Sequence, residues 1–283
     1  MTTITGRCLC GDIGYTLDGP FLSMLHCHCS MCRKHHGSAF QTAVAAPASA
    51  FRWQQGVDGL ASYTSSPGFE RTFCPRCGST MPPSEEGGDV IFVPAGNLEE
   101  DPQIAPRMHI FAGSKAPWYT ITDDLPQHET CPPGYDAPRI DRPVLPANPS
   151  ADSCRGSCLC GAISFRFSGR PRAMRNCHCS RCRLSRAAAH ATNLFVAPDV
   201  FEWLQGEERV RGFDLPGTER FGANFCGDCG SLVPRLSAVG VWNIPAGSLD
   251  DDPGAVPEGH IFVGSKAPWF EISDSLVRHD EYS

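Results

Sequence analysis

The sequence predicts a mostly β fold present twice in tandem, and three observations carry that expectation. A set of seven cysteines occurs twice, about 150 residues apart. Short segments of alternating apolar character end at glycine or proline, as strands ending in turns do. A stretch rich in proline, residues 127–153, separates the two copies. Proline at that density fixes φ and removes donors, which favours an extended, semi-rigid linker. The expected organisation is a first domain over residues 1–130, a linker over 131–152 and a second domain over 153–283. Each domain carries a complete cysteine set, so each is expected to fold by itself. Packing of the two on each other is expected as well, because duplication preserves the contacts of an ancestral homodimer.

Taken in chain order, residues 13–17 (IGYTL) and 163–167 (ISFRF) alternate and stop at Gly19 and Gly169, so both read as strands. Serine at Ser30 and Ser180 is the expected cap of a helical turn carrying Cys32 or Cys182. FRWQQG at 51–56 returns as FEWLQG at 201–206. Residues 89–93 and 239–244 read as further short strands closed by proline. Pro94-Ala95-Gly96 returns as Pro245-Ala246-Gly247, and HIFAGSKAPW at 109–118 returns as HIFVGSKAPW at 260–269. The offset drifts only from 150 to 152 along the chain, so short loop changes separate the copies.

Composition excludes several classes. Net charge of −7 and a pI near 5.8 argue against a general affinity for nucleic acid or anionic membrane. No stretch approaches the ~18 apolar residues needed to span a bilayer, and the first ten residues lack a signal-peptide core. A cytoplasmic protein in a reducing compartment is the expectation, where clustered cysteines are metal ligands rather than disulfides. Local arginine clusters, Arg170, Arg172 and Arg175 and then Arg181, Arg183 and Arg186, read as a solvated rim or as a pocket for an anionic small molecule.

The cysteines divide by spacing into two kinds of site. Cys8, Cys10, Cys74 and Cys77, like Cys158, Cys160, Cys226 and Cys229, form two ligand pairs about sixty residues apart. Four thiolates close a structural zinc site that staples a small domain, with Gly78 and Gly230 completing tight knuckles. A redox-active Cys74-x-x-Cys77 pair is the rival reading, but the βαβ context of such motifs is missing. Cys27, Cys29 and Cys32, like Cys177, Cys179 and Cys182, place three thiols within six residues. Three protein ligands leave the fourth zinc position open for water or substrate. The competing reading closes it with His28; the favoured one makes His28 and His178 supporting groups pointing away from the metal. Cys131 and Cys154 stand outside both patterns.

At these residues the chain resembles the glutathione-dependent formaldehyde-activating enzyme (GFA) family, also called the CENP-V/GFA domain. The resemblance rests on CLCG at Cys8, CHCSMCRKHHG at 27–37, RTFCPRCGS at 71–79, PAGNLEEDP at 94–102 and HIFAGSKAPWYTITDDLP at 109–126. It covers nearly all of residues 6–126 and 156–276. It implies two tandem Mss4-like zinc-binding β domains. It also implies a structural zinc on each four-cysteine set and a labile catalytic zinc on each three-cysteine set. The activity it implies is carbon–sulfur lyase chemistry, the reversible joining of glutathione and formaldehyde to S-hydroxymethylglutathione. Such chemistry needs a thiolate held at the metal and a donor at the developing alkoxide. His109 and Lys115 are the candidates for that donor or for binding glutathione's carboxylates. The bland reading of the same block makes Trp118 and Trp269 core, with Lys115 and Lys266 on the rim.

The copies depart from the family unequally. The first keeps Gly37 and Arg71, whereas the second has LSRAAAH at 184–190 with no glycine, Ala223 in place of Arg71, and SDSLV at 273–277 in place of DDLP. Metal binding is expected in both copies and the substrate pocket is expected to be altered in the second. Two other functions compete with the enzyme: a non-catalytic interaction module, disfavoured by the missing basic tail, and a metal-buffering protein whose three-cysteine sites bind zinc tightly without substrate.

Overall fold

The computed structural model describes residues 2–84, 88–134 and 152–282. Most of the expected linker, residues 135–151, lies outside them. The described chain is mostly β, with short strands, single-turn 3-10 segments and two seven-residue α-helices, α1 (Ser30–His36) and α2 (Ser180–Arg186).

Each half repeats one plan. In the N-terminal half, Thr3–Arg7, Gly14–Asp18 and Phe51–Gln55 form an antiparallel three-stranded sheet. A second sheet runs His109–Ile110, Ser23–Cys27, Gln41–Pro47, Val90–Pro94. A third hairpin sheet, Ala61–Ser66, Phe69–Phe73 and Thr80–Met81, carries the Cys74 knuckle at its end. The C-terminal half repeats all three, with Arg235–Leu236 and Val277–Arg278 added at the edges of the middle sheet. Alternation decides which residues enter the core. Along Gly14–Asp18 the side chains Tyr15 and Leu17 are buried, and along Ser164–Ser168 so are Phe165 and Phe167. The strands expected at 89–93 and 239–244 are observed as Val90–Pro94 and Trp242–Pro245.

The core does not stop at the half boundary. One contiguous cluster includes Ile4, Leu17, Met24, Phe40 and Val44 from the first half and Phe165, Phe167, Met174 and Leu194 from the second. The halves pack on each other, as expected, where Phe40, His190 and Phe270 meet beside the two middle sheets. The Phe40 ring lies 5.5 Å from His190 and 6.1 Å from Phe270.

The contacts between halves are reciprocal, as a two-fold relation requires. The end of α1 packs on the 3-10 turn Ala246–Ser248, and the end of α2 packs on its counterpart, Ala95–Asn97. This contact explains the repeated Pro-Ala-Gly motif. A Cβ on Gly96 would lie 2.1 Å from the Ala188 nitrogen, and one on Gly247 would lie 2.3 Å from the Arg33 carbonyl oxygen. Only glycine lets backbone meet backbone that closely. His36 Nδ1 donates to the Arg186 carbonyl at 2.7 Å and Ser38 Oγ to the His190 carbonyl at 2.6 Å, both across the boundary. The side-chain contacts are not mirrored, since Arg186 and Ala188 hold the places of His36 and Ser38. Lys34 reaches Asp250 at 2.6 Å with both side chains under a tenth exposed, whereas Leu184 holds the mirrored place.

Candidate metal centres and the groups around them

The four-cysteine sets assemble as their spacing predicts. Each set brings its four Sγ atoms within 4.8 Å of one another. Cys8 and Cys10 are 3.4 Å apart and Cys10 and Cys74 3.6 Å; in the second half the matching distances are 3.4 and 3.8 Å. Tetrahedral thiolates at a Zn–S bond of about 2.3 Å stand roughly 3.8 Å apart, so these residues fit a closed zinc site. No disulfide forms; all sixteen cysteines are free. Backbone donors support the sulfurs: the Ile13 N–H donates to Cys8 Sγ at 3.4 Å and the Ile163 N–H to Cys158 Sγ at 3.2 Å. Gly78 and Gly230 close the knuckles at φ 73° and 71°.

The three-cysteine sets also assemble, each with its Sγ atoms within 4.8 Å. Cys27 and Cys177 end strands, while the other two thiols sit at the head of a helix. The expected cap shifts by one residue. Cys29, not Ser30, caps α1: its sulfur accepts from the Cys32 N–H at 3.3 Å, and Cys179 does the same for α2. A thiolate is a good acceptor for that orphan N–H, so one residue serves as cap and metal ligand together. Hydrogen bonds from Cys27 and Cys32 hold the Cys29 thiol well below its usual range. Those from Cys177 and Cys182 bring Cys179 to about 3. The donor set fits a metal with one position left for another ligand.

Behind each trio lies a feature that the sequence reading missed. His28 Nε2 is 2.8 Å from His109 Nδ1, and His109 Nε2 is 3.0 Å from Asp123. The second half repeats it: His178 Nε2 to His260 Nδ1 at 2.7 Å and His260 Nε2 to Asp274 at 3.0 Å. A carboxylate only accepts, so His109 Nε2 carries the proton. In neutral His109, Nδ1 then accepts from His28 Nε2–H, which leaves His28 Nδ1 as a bare acceptor. That atom is buried and has no hydrogen-bond partner, as is His178 Nδ1. Burial, then the neighbouring His109, keeps His28 down at about 3; burial, then His190 and His260, keeps His178 at about 2. The signal in the sequence was the spacing of fourteen from His109 to Asp123, kept from His260 to Asp274 inside a tail that otherwise changed.

His28 does not join the trio: only Cys27, Cys29 and Cys32 bring ligand atoms within 4.8 Å of one another, and its Nε2 faces His109. His109, read as a candidate donor to the substrate, is fully buried with both ring nitrogens engaged, so any role it has runs through His28. Lys115 is exposed at the end of a 3-10 turn, and its charge is felt at His28. Trp118 and Trp269 are buried core. Lys266 turns its amine onto the Ala267 and Phe270 carbonyls.

The surroundings of the two trios differ. In the first half Arg71 is buried with Nη2 3.7 Å from Cys32 Sγ, and Gln41 Oε1 lies 3.1 Å from the same sulfur. Burial opposes the Arg71 charge, but the Cys32 and Cys29 thiolates outweigh it and raise its pKa. In the second half Ala223 and Ala191 stand at those places. Tyr119 stacks over His28 at 5.7 Å, where Phe270 stacks over His178 at 5.8 Å. Gly37 ends α1 at φ 59°, and Ala187 ends α2 in the same left-handed conformation at φ 50°, so loss of the glycine left the backbone path unchanged. Of the two cysteines outside the pattern, Cys154 is buried on its strand, and Cys131 is half-buried within electrostatic reach of Cys29. Tyr282 takes the place of Cys131 near the second trio.

The sequence pattern of the family described as glutathione-dependent formaldehyde-activating enzyme matches residues 3–114 and again 153–265. No curated protein matches the chain. A crystal structure of a Rhodobacter sphaeroides protein is similar at 20% identity with a TM-score of 0.29, covering 36% of this chain and 97% of that one. Among the described residues no helix is long and apolar enough to cross a membrane.

Proposed function

The chain belongs to the glutathione-dependent formaldehyde-activating enzyme family, twice over, and on that premise we propose that it is a zinc-dependent carbon–sulfur lyase or synthase. It joins a thiol such as glutathione to a small aldehyde such as formaldehyde, in the cytoplasm, with the first half as the active copy. The domains are residues 1–130 and 153–283, each with one structural and one catalytic zinc. The observation that carries this reading is the Asp123–His109–His28 relay, whose two histidines are buried and which ends between two cysteines of the thiolate trio.

Bound at Cys27, Cys29 and Cys32, zinc would supply Lewis acidity that keeps a substrate sulfur deprotonated near neutral pH. The chain's own groups do the rest. Asp123 fixes the His109 tautomer, and His109 in turn orients His28, so that the free Nδ1 lone pair can take the thiol proton. The same nitrogen can return that proton to the hemithioacetal oxygen, since burial makes its protonated form a ready donor. Arg71 offsets the excess negative charge of three thiolates. Lys115, exposed at the rim, is placed for a carboxylate of the thiol substrate.

The test is thiol-by-aldehyde exchange followed by NMR on zinc-replete protein, with glutathione and formaldehyde as the first pair. A chelator titration is its companion. Mild chelator should remove roughly two of about four zinc ions with the circular dichroism spectrum unchanged, because only the closed sites couple release to unfolding. Glutathione should slow that removal by ordinary linkage. Loss of structure together with the first zinc released sinks the assignment of open and closed sites. Absence of exchange with every thiol and aldehyde pair sinks the enzyme.

A further inference from the structure

Helix α1 carries two sulfurs of the first trio, Cys29 at its cap and Cys32 in its first turn, yet it lies on the second half. Met31 and Tyr63 pack against the apolar cluster formed by Cys158, Cys226, Cys229 and Val233 with their neighbours. The buried His35 ring lies against the Cys229 backbone. Lys34 Nζ donates to the carbonyl and to Oγ of Ser157, both at 2.9 Å, one residue ahead of Cys158. Past the helix end, a Cβ on Gly37 would stand 3.1 Å from Leu232 Cβ, on the strand Leu232–Val233 that leaves the Cys229 knuckle. Over its length, then, α1 rests on the segments that hold the second four-cysteine set. The two knuckles also abut. A Cβ on Gly230 would lie 2.4 Å from the Phe73 ring and one on Gly78 2.5 Å from the Phe225 ring.

On the closed and open assignments made above, we propose that the second half's closed site positions α1. Metal held by Cys158, Cys160, Cys226 and Cys229 thereby raises the metal affinity of Cys27, Cys29 and Cys32. Ligation supplies folding free energy to the segments that carry the ligands. Without metal the Cys226–Cys229 turn loses that support, and Leu232 and Val233 no longer brace α1. The Cys29 and Cys32 sulfurs then lose their fixed separation from Cys27, which is held separately at the end of its own strand. Coupling of this kind is reciprocal and is worth about 5- to 150-fold in affinity. The grip is specific to α1. At the places of Met31, Lys34 and His35, α2 has Arg181, Leu184 and Ser185, and Arg181 is exposed. Leu184 cannot make the amine bonds of Lys34. The second copy therefore serves the first trio through its closed site, whatever its own pocket binds.

The experiment labels the full chain with N-ethylmaleimide in zinc-buffered solutions and reads each cysteine by mass spectrometry. In the unaltered chain Cys158, Cys160 and Cys226 should be protected at lower free zinc than Cys29 and Cys32. Cys229→Ser should raise the zinc needed to protect Cys29 and Cys32 by about tenfold or more. Met31→Arg with His35→Ser copies α2 and leaves every cysteine in place. That pair should raise the zinc requirement by about fivefold or more, with Cys158 and Cys226 still protected, and it keeps the test decisive if Cys229→Ser does not fold. Added to that pair, Cys229→Ser should cost little more, because the coupling is already cut. Cys29 and Cys32 indifferent to both changes, or losses that add in full, overturn the coupling and leave the closed site standing. Labelling of Cys158, Cys160 and Cys226 at every zinc level in the unaltered chain overturns the closed site itself, and the coupling with it.

Discussion

Set side by side, the two halves keep one layer of residues and exchange the next. All seven cysteines, both histidines of the relay and its aspartate recur in place, with the His28–His109 and His178–His260 distances within 0.1 Å of each other, 2.8 and 2.7 Å. The residues around the trio do not recur: Arg71 becomes Ala223, Gln41 becomes Ala191, Tyr119 over His28 becomes Phe270 and Cys131 becomes Tyr282. Groups that hold the metal geometry cannot change without losing it. Groups that shape the space beside it can, and that is where one copy can acquire a ligand of its own. The contrast teaches that metal binding and substrate choice are separable in this fold.

The largest expected effect is on catalysis. Cys29→Ser should lower turnover by more than about 10³-fold with the unfolding midpoint nearly kept, whereas Cys179→Ser should cost far less. Steady-state exchange rates measure both. Equal losses would mean that both copies work, and the asymmetry around the trios would then lack functional meaning.

Stability tests the buried ion pair between the halves, which has no mirror image. Lys34→Leu copies the residue of the other half but strands Asp250 in a buried site, and should destabilise by about 3 kcal/mol. The double change Lys34→Leu with Asp250→Leu should recover most of it, since apolar packing replaces a buried pair at little cost. Urea unfolding gives both numbers. A harmless single change would show that the pair is not holding the halves together. Because the core is shared, either half expressed alone should dimerise or aggregate rather than remain a stable monomer, which light scattering would report.

The relay gives a smaller, directional effect. Asp123→Asn is nearly isosteric but lets His109 adopt the wrong tautomer, so kcat should fall by about 10² with KM little changed. Asp274→Asn should leave turnover within about twofold if the second copy is silent. A change confined to KM would move the relay from proton handling to substrate binding. The smallest effect is at the helix end: Ala187→Gly relieves a left-handed alanine and should stabilise by about 1 kcal/mol. Gly37→Ala should do the reverse and more, since its Cβ would lie 2.5 Å from Arg186 Nη1.

The sequence by itself determined the duplication, the mostly β character, the grouping of fourteen of the sixteen cysteines into sets of four and three, and the strands at 13–17 and 163–167. These are local or periodic properties: a ligand pair is a spacing, and a half-buried strand is an alternation. The helices were legible too, though not that Cys29 and Cys179 would cap them, because serine is the commoner cap and a thiolate's claim depends on its neighbours. What only the tertiary structure decided involves groups far apart in the chain. The Asp123–His109–His28 relay joins a tail, a short strand and the cysteine loop. The shared core depends on how two sheets meet. The Gly96 and Gly247 contacts come from helices of the opposite half, which no spacing within one half announces. Spacing specifies what one segment can bind, whereas burial and partnership belong to pairs of segments, and those are fixed only when the chain closes on itself.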